Sequence, residues 1–293
     1  MLRILLVSIL VMNLLAVNSS QAYQSNVNDS KNEDNSKPLR IAVASNFTPV
    51  LKVLLEDFTK QTGIKSQVIS GASGAMFLQI KYGAPFDVFL SADSRRPKEL
   101  EQAGYTLKSS RKTYATGQLA FYSSSLSSNA NSLSQLSIEE ILSIDQLRKP
   151  SARFAIANPD TAPYGKAAKE ALTHLGLWQA YESRLVKGIN IGQTFTKLRS
   201  KAVTRGIVAN SQLVLNNLSG VIIPSSYHQA IEQQLVIIRR SKQQAAAEKL
   251  SHFLLSIESQ NRIVSYGYAQ TKQVNNANNA NNANKKLSEL TAK

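Results

Sequence analysis

Cysteine is absent from the 293 residues, so no disulfide can staple the fold and stability must come from a packed core. A lipid anchor of the bacterial type, which needs a cysteine to carry its acyl chains, is excluded for the same reason. Histidine is nearly absent. His174, His228 and His252 are the only three, they fall in helical or turn contexts, and no His/Cys/carboxylate cluster has metal-ligand spacing. Beyond the N-terminal segment, no stretch is long and apolar enough for a transmembrane helix, which needs roughly 20 residues. Acidic residues are scarce: 19 against 34 basic ones, a net charge of +15. That balance leans weakly toward anionic partners. The basic residues come as scattered pairs, such as Arg95-Arg96 and Arg239-Arg240, with no stripe of interleaved aromatics. Nucleic acid is therefore not an expected partner.

What is present begins with an export signal. Arg3 precedes an apolar run from Ile4 to Val17, and Ser20-Gln21-Ala22 supplies small residues at a cleavage site. Residues 1–22 read as a signal peptide cut near Ala22; the alternative is an uncleaved anchor, for which the apolar run is short. An exported chain without a lipid anchor is expected in the periplasm, retained by an outer membrane. Residues 23–37 read as a flexible leader rich in Asn, Ser and Asp. Residues 273–293 read as a disordered tail, with Asn-Asn-Ala repeated through Asn275–Asn284.

Between these ends, strands and helices alternate. Leu39–Ala44 is a short apolar run suited to a buried parallel strand. Thr48-Pro49 opens a helix with Val50, Leu51, Leu54, Leu55 and Phe58 on one face, and Gly63 closes it. Strands follow at Ile64–Ile69 and Phe86–Leu90, with helices at Gly74–Tyr82 and Pro97–Ala103. Later strands are read at Gln118–Ser123, Phe154–Ala157, Gly206–Ala209, Val221–Ile223 and Leu235–Ile238. Helices are read at Ile138–Leu147, Gly165–Leu175, Thr194–Lys201 and, as one or two pieces, Ala245–Tyr266. The order implies two α/β lobes, each a mostly parallel sheet flanked by helices. Lobe 1 takes residues 38–117 plus 240–272, and lobe 2 residues 118–239.

Ligands of such sheets bind beyond the carboxyl ends of strands, where helices begin. Four turns of this kind stand out: Ala44-Ser45-Asn46-Phe47, Gly71–Ala75, Asn158–Gly165 and Gly188–Gly192. Each offers backbone N–H groups at the positive end of a helix, which is an oxyanion site in waiting. Ser45 and Ser73 add hydroxyl donors. Asp160 is the only carboxylate among these turns. A donor-rich, acceptor-poor site suits fully deprotonated dianions such as sulfate, molybdate and tungstate better than phosphate, which keeps a proton near neutral pH. Catalysis is not expected. Gly71–Ala75 has Ala75 where a nucleophile elbow needs glycine, and Gly165-Lys166-Ala167 lacks the flanks of a P-loop. An exported hydrolase using Ser73 remains the alternative from another class.

Three runs of residues resemble a known family: Ala42-Val43-Ala44-Ser45-Asn46-Phe47, Ser70-Gly71-Ala72-Ser73-Gly74 and Gly83-Ala84-Pro85-Phe86-Asp87-Val88-Phe89-Leu90-Ser91-Ala92-Asp93. Together with Ala157–Pro159, Ala162–Gly165 and Gly188–Gln193, they are similar to the periplasmic molybdate-binding proteins of ABC transporters, over about Leu39 to Tyr266. The resemblance implies a two-lobe periplasmic binding protein fold that closes over one oxyanion, molybdate or tungstate, with sulfate or another small oxyanion as the alternative. It implies hydroxyl and backbone donors at Ser45 and Ser73, and backbone donors at Tyr164 and Ile191. Asn46 resembles the extra donor of one branch. Another branch has a tyrosine hydroxyl where Ala209 stands, so that contact is missing here. The resemblance further implies a monomer that meets a membrane permease, with no cofactor and no metal bound as a cation.

Overall fold

The Leu39–Ala44 run forms strand β1 and is buried along nearly its whole length, as a strand covered on both faces must be. In the computed structural model, which describes residues 37–124, 137–148 and 152–271, β1 pairs in parallel with β2 (Ser66–Gly71) and β3 (Val88–Leu90). Helix α1 (Thr48–Thr62) follows β1, α2 (Ser73–Lys81) follows β2 and α3 (Arg95–Gln102) follows β3. Successive side chains of β1 face opposite layers. Leu39, Ile41 and Val43 pack with Val50, Leu51, Leu54 and Phe58 of α1, while Ala42 packs with Met76 and Ile80 of α2. Glycines end the helices where expected, with Gly63 at φ 71° and Gly104 at φ 72°. That left-handed conformation costs glycine little.

Strand β4 (Lys112–Gly117) belongs to the same sheet, and Gln118 passes the chain to β5 (Leu119–Ser123) of a second one. There follow α4 (Ile138–Arg148), β6 (Phe154–Ala157), α5 (Pro163–His174), α6 (Trp178–Glu182), β7 (Leu185–Gly188), α7 (Ile191–Arg199), β8 (Arg205–Ala209), α8 (Asn210–Val214) and β9 (Val221–Ile222). The second sheet runs β7-β6-β8-β5-β9. Then β10 (Ile231–Ile237), α9 (Gln244–Leu255) and α10 (Ile257–Ser265) complete the first lobe.

Two expectations need correction. The sheets are mixed rather than mostly parallel. In each, two pairings are parallel and two antiparallel, because β10 runs against β3 and β4, and β5 against β8 and β9. The chain also returns to lobe 1 before Ile231, not after Arg239. Strand β10 sits inside the first sheet, in the order β2-β1-β3-β10-β4, where Leu235, Val236 and Ile237 join that lobe's cores. A parallel β3–β10 pairing would need a crossover within one lobe, whereas a strand arriving from the other lobe is free to enter antiparallel. Strands β4 and β7 had no counterpart in the sequence reading. The first has no continuous apolar run, with Lys112, Thr113 and Thr116 exposed or half-buried around Tyr114 and Ala115, and the second has only four residues at a sheet edge. The signal peptide, the leader up to residue 36 and the Asn-rich tail lie outside the described residues. No helix among the described residues is long and apolar enough to cross a membrane.

Candidate functional site

Four parallel strands end on one another's doorstep. The turns after β1, β2, β6 and β7 converge, and Ser45, Asn46, Ser73, Tyr164 and Ile191 line one small cavity with Gly71, Ala72, Ala92, Ala162 and Asn190. The cavity is small and open on one side, with about 190 Å³ of empty space when its open mouth is included. All five residues picked from the sequence therefore meet in one place.

Helix starts supply the donors. Ser73 and Ile191 are the first residues of α2 and α7, and Tyr164 is the second of α5. First-turn N–H groups have no intrahelical acceptor. None of the hydrogen bonds among the described residues uses the N–H of Ser73, Tyr164 or Ile191. Asn190 fixes the entry to α7 by accepting the Gln193 N–H at 2.9 Å.

The hydroxyls are oriented by what they accept. Ser73 Oγ accepts the Ala92 N–H at 2.9 Å, and Ser45 Oγ accepts the Gly192 N–H at 3.1 Å. A serine oxygen that accepts from one side has its own proton left to give. Ser73 thus offers a hydroxyl and an N–H. Ser45 offers only its hydroxyl, because its N–H is spent on Gly71 O at 3.0 Å, so the expected backbone donation from Ser45 is lost.

The lobes are latched around this cavity. The Gly74 N–H donates to Thr161 O at 3.0 Å, the Gly192 N–H reaches Ser45 Oγ, and Arg96, paired with Asp93, reaches Asp160 O at 3.5 Å. Beside the cavity lies a buried polar cluster that the sequence did not reveal. Asn46 Nδ2 donates to Gln233 Oε1 at 2.9 Å and to the Tyr268 hydroxyl at 3.1 Å. Gln233 Nε2 donates to the Tyr164 hydroxyl at 3.1 Å, and the Tyr114 hydroxyl lies 3.1 Å from Gln233 Oε1. A Gln233-Gln234 pair interrupting an apolar strand was the available signal. Ala209, the place of the absent tyrosine, is buried at the end of β8 and does not line the cavity.

Burial pushes the Tyr114, Tyr164 and Tyr268 hydroxyls above the ordinary tyrosine range. Neighbouring Tyr268 adds to this at Tyr114 and Tyr164, while the hydrogen bond with Gln233 opposes it at Tyr164. Unfolded tyrosines lose their protons near pH 10, and these three keep theirs in the folded state. Their contribution to stability is therefore complete below about pH 10 and falls as pH rises, by about 1.4 kcal/mol per pH unit for each tyrosine. Urea unfolding of the wild type and Tyr114→Phe between about pH 9 and 11 is expected to show a shallower decline in the variant. Equal slopes would remove Tyr114 from the effect.

No general base lines the cavity, and among the described residues no group of three or more His, Cys, Asp or Glu is placed to hold a metal ion. His174 instead stacks on Tyr227, their ring centroids 4.4 Å apart.

The chain matches a family model described as bacterial extracellular solute-binding protein over residues 39–269. It is 36% identical over 234 residues to the molybdate-binding protein ModA of Azotobacter vinelandii, covering 78% of this chain and 89% of that protein. The ModA of Rhodobacter capsulatus is 34% identical over 228 residues, covering 78% of this chain and 86% of that protein. The solved periplasmic molybdate-binding protein of A. vinelandii superposes with a TM-score of 0.69 at 32% identity, over 80% of this chain and 100% of the other. The chain belongs to the bacterial extracellular solute-binding protein family.

Proposed function

We propose that the chain binds molybdate, or tungstate, in the cavity between its lobes and delivers it to the membrane permease of an ABC transporter. One observation carries the reading: four donor residues, Ser45, Ser73, Tyr164 and Ile191, one from each of four strand-to-helix turns, surround one cavity that no carboxylate lines. Such a site matches a tetrahedral dianion whose oxygens all accept. Relatives named for molybdate binding, at 36% and 34% identity, favour that ion within the class. The protein acts as a carrier rather than a catalyst, in the periplasm of a cell whose outer membrane retains it. Thermal unfolding with increasing molybdate tests this. A ligand that binds only the folded state adds about 2.7 kcal/mol at a hundredfold excess over its dissociation constant. No shift with molybdate or tungstate would defeat the proposal.

Ser73→Ala removes one hydroxyl donor and leaves the Ala92 N–H without its acceptor. A hydrogen bond to a charged group is worth roughly 1.5–3 kcal/mol, so molybdate affinity is expected to fall by about one to two decades. The check is titration calorimetry of the folded variant. Unchanged affinity would reduce Ser73 to a structural contact with Ala92.

A further inference from the structure

Within the proposed oxyanion site, one buried polar atom has no hydrogen-bond partner. Asn46 is fully buried and lines the cavity, both protons of its Nδ2 are committed to Gln233 and Tyr268, and its Oδ1 has no partner. A buried acceptor without a donor is costly, and an acceptor held beside a dianion repels it. Asn46 cannot simply exchange its oxygen and nitrogen by a half-turn about its last side-chain bond, because its oxygen would then face Gln233 Oε1.

We infer that Gln233 is a positioning residue that turns together with Asn46, and that the Tyr164 hydroxyl of the second lobe permits the turn. When both amides rotate, Gln233 Nε2 donates to Asn46 Oδ1 across the present 2.9 Å contact. Its second proton goes to the Tyr114 hydroxyl, which donates to Ser91 O at 3.2 Å. The Tyr164 hydroxyl reverses its role and donates to Gln233 Oε1 across 3.1 Å. The Tyr268 hydroxyl shifts its proton from Asn46 O, 3.2 Å away, to Asn46 Oδ1. The side-chain contacts among Asn46, Gln233, Tyr114, Tyr164 and Tyr268 are kept at the cost of the Tyr268–Asn46 O bond, the orphan acceptor is satisfied, and Nδ2 is released to donate into the cavity. Without an acceptor in the cavity, that second arrangement leaves both Nδ2 protons and the Asn46 backbone oxygen without the partners they now have, so the oxyanion selects it.

Geometry supports the relay at both ends. Gln233 is fully buried and holds no other partner, so nothing outside the cluster fixes its orientation. At Gly117, where β4 leaves the first sheet, a side-chain carbon would collide with the Tyr164 hydroxyl and Gln233 Nε2, so glycine keeps the passage between them open. Because Tyr164 sits on lobe 2 and Gln233 on lobe 1, the turn of the Asn46 amide requires the lobes to be closed. Donation by Asn46 is thereby tied to closure.

The experiment is molybdate titration of four proteins: wild type, Gln233→Met, Tyr164→Phe and the double variant, with the side-chain amide signals of Asn46 followed by NMR in the wild type. Tyr164→Phe keeps the backbone donor and removes only the hydroxyl. Each single variant is expected to bind about ten- to a hundredfold more weakly, for the loss of one bond to a charged ligand. The double variant is expected to be no worse than Gln233→Met, because both act through one relay. In the wild type, the Asn46 amide pair is expected to shift on saturation. Independent, additive losses, wild-type affinity in Tyr164→Phe, or an unmoved Asn46 signal in saturated wild type would each overturn the relay while leaving molybdate binding intact. Should Gln233→Met fail to fold, Tyr164→Phe and the wild-type signal still decide. A wild type that binds no molybdate overturns the ligand reading and the relay with it.

Discussion

Sulfate displaces bound molybdate only at about a hundredfold higher concentration: this is the expected result of a competition titration, and the reason is size. Both are tetrahedral dianions with four acceptor oxygens, so neither charge nor donor number separates them. The donors sit on opposite lobes, and their spacing is set by direct contacts between the lobes, among them Gly74 N–H to Thr161 O and Gly192 N–H to Ser45 Oγ. Those contacts hold the two lobes at a fixed separation. A smaller anion then touches the Ser45 and Ser73 hydroxyls or the Tyr164 and Ile191 N–H groups, but not all of them at good length. Each donor left unpaired in a closed site costs about 1–3 kcal/mol, and two such losses amount to about two decades or more. Displacement by sulfate at comparable concentration would mean that the gap adapts, and would refute the molybdate assignment while keeping the oxyanion class.

The second large effect is expected from Gly74→Val. Gly74 is the second residue of α2 and has an ordinary negative φ, so valine does not strain the backbone there. It does fill the seam between lobes. A side-chain carbon at this position would lie 2.9 Å from Thr161 O and 3.0 Å from the Arg96 guanidinium, and the first of these is backbone that cannot swing aside. The wedge holds lobe 2 away, so the Tyr164 and Ile191 N–H groups no longer reach a ligand held by lobe 1. Two lost bonds to a charged ligand at roughly 1.5–3 kcal/mol each predict a fall of about two to four decades in molybdate affinity. The urea midpoint should change little, since neither lobe's core is touched. Wild-type affinity in this variant would show that closure at Gly74 is not needed for binding.

The sequence was most informative where physics is local. Leu39–Ala44 and Phe154–Ala157 are short apolar runs with one interpretation, and their boundaries match β1 and β6. Helix starts were less legible, and here the difference matters chemically. The spacing of apolar residues put the starts of α2, α5 and α7 at Gly74, Gly165 and Thr194, while the helices begin at Ser73, Pro163 and Ile191. Among the extra one to three residues are Ser73, Tyr164 and Ile191, the three that line the cavity and have N–H groups to give. Apolar periodicity cannot reveal them, because the first turn of a ligand-binding helix faces the ligand rather than the core.

Strand β10 was placed in the wrong lobe for a different reason. Ile231–Gln234 reads as polar, since Gln233 and Gln234 interrupt it, and its pairing with β3 joins residues about 150 positions apart in sequence. Gln233 is polar because it serves the buried cluster beside the site, so the feature that hid the strand is also the one that marks its role. Ser45, Asn46, Ser73, Tyr164 and Ile191 were legible through their motifs, and the structure gathers all five. Gln233, Tyr114 and Tyr268 were not, because no motif surrounds them and only the fold brings them together.

The most direct test of the central claim is an anomalous-scattering map at the molybdenum edge, from crystals grown with molybdate. The expected map has one strong peak per chain, within hydrogen-bonding reach, through its oxygens, of the Ser45 and Ser73 hydroxyls and the Tyr164 and Ile191 N–H groups. A peak elsewhere, for instance in the neighbouring cleft lined by Arg95 and Lys166, or no peak at saturating molybdate, would contradict it.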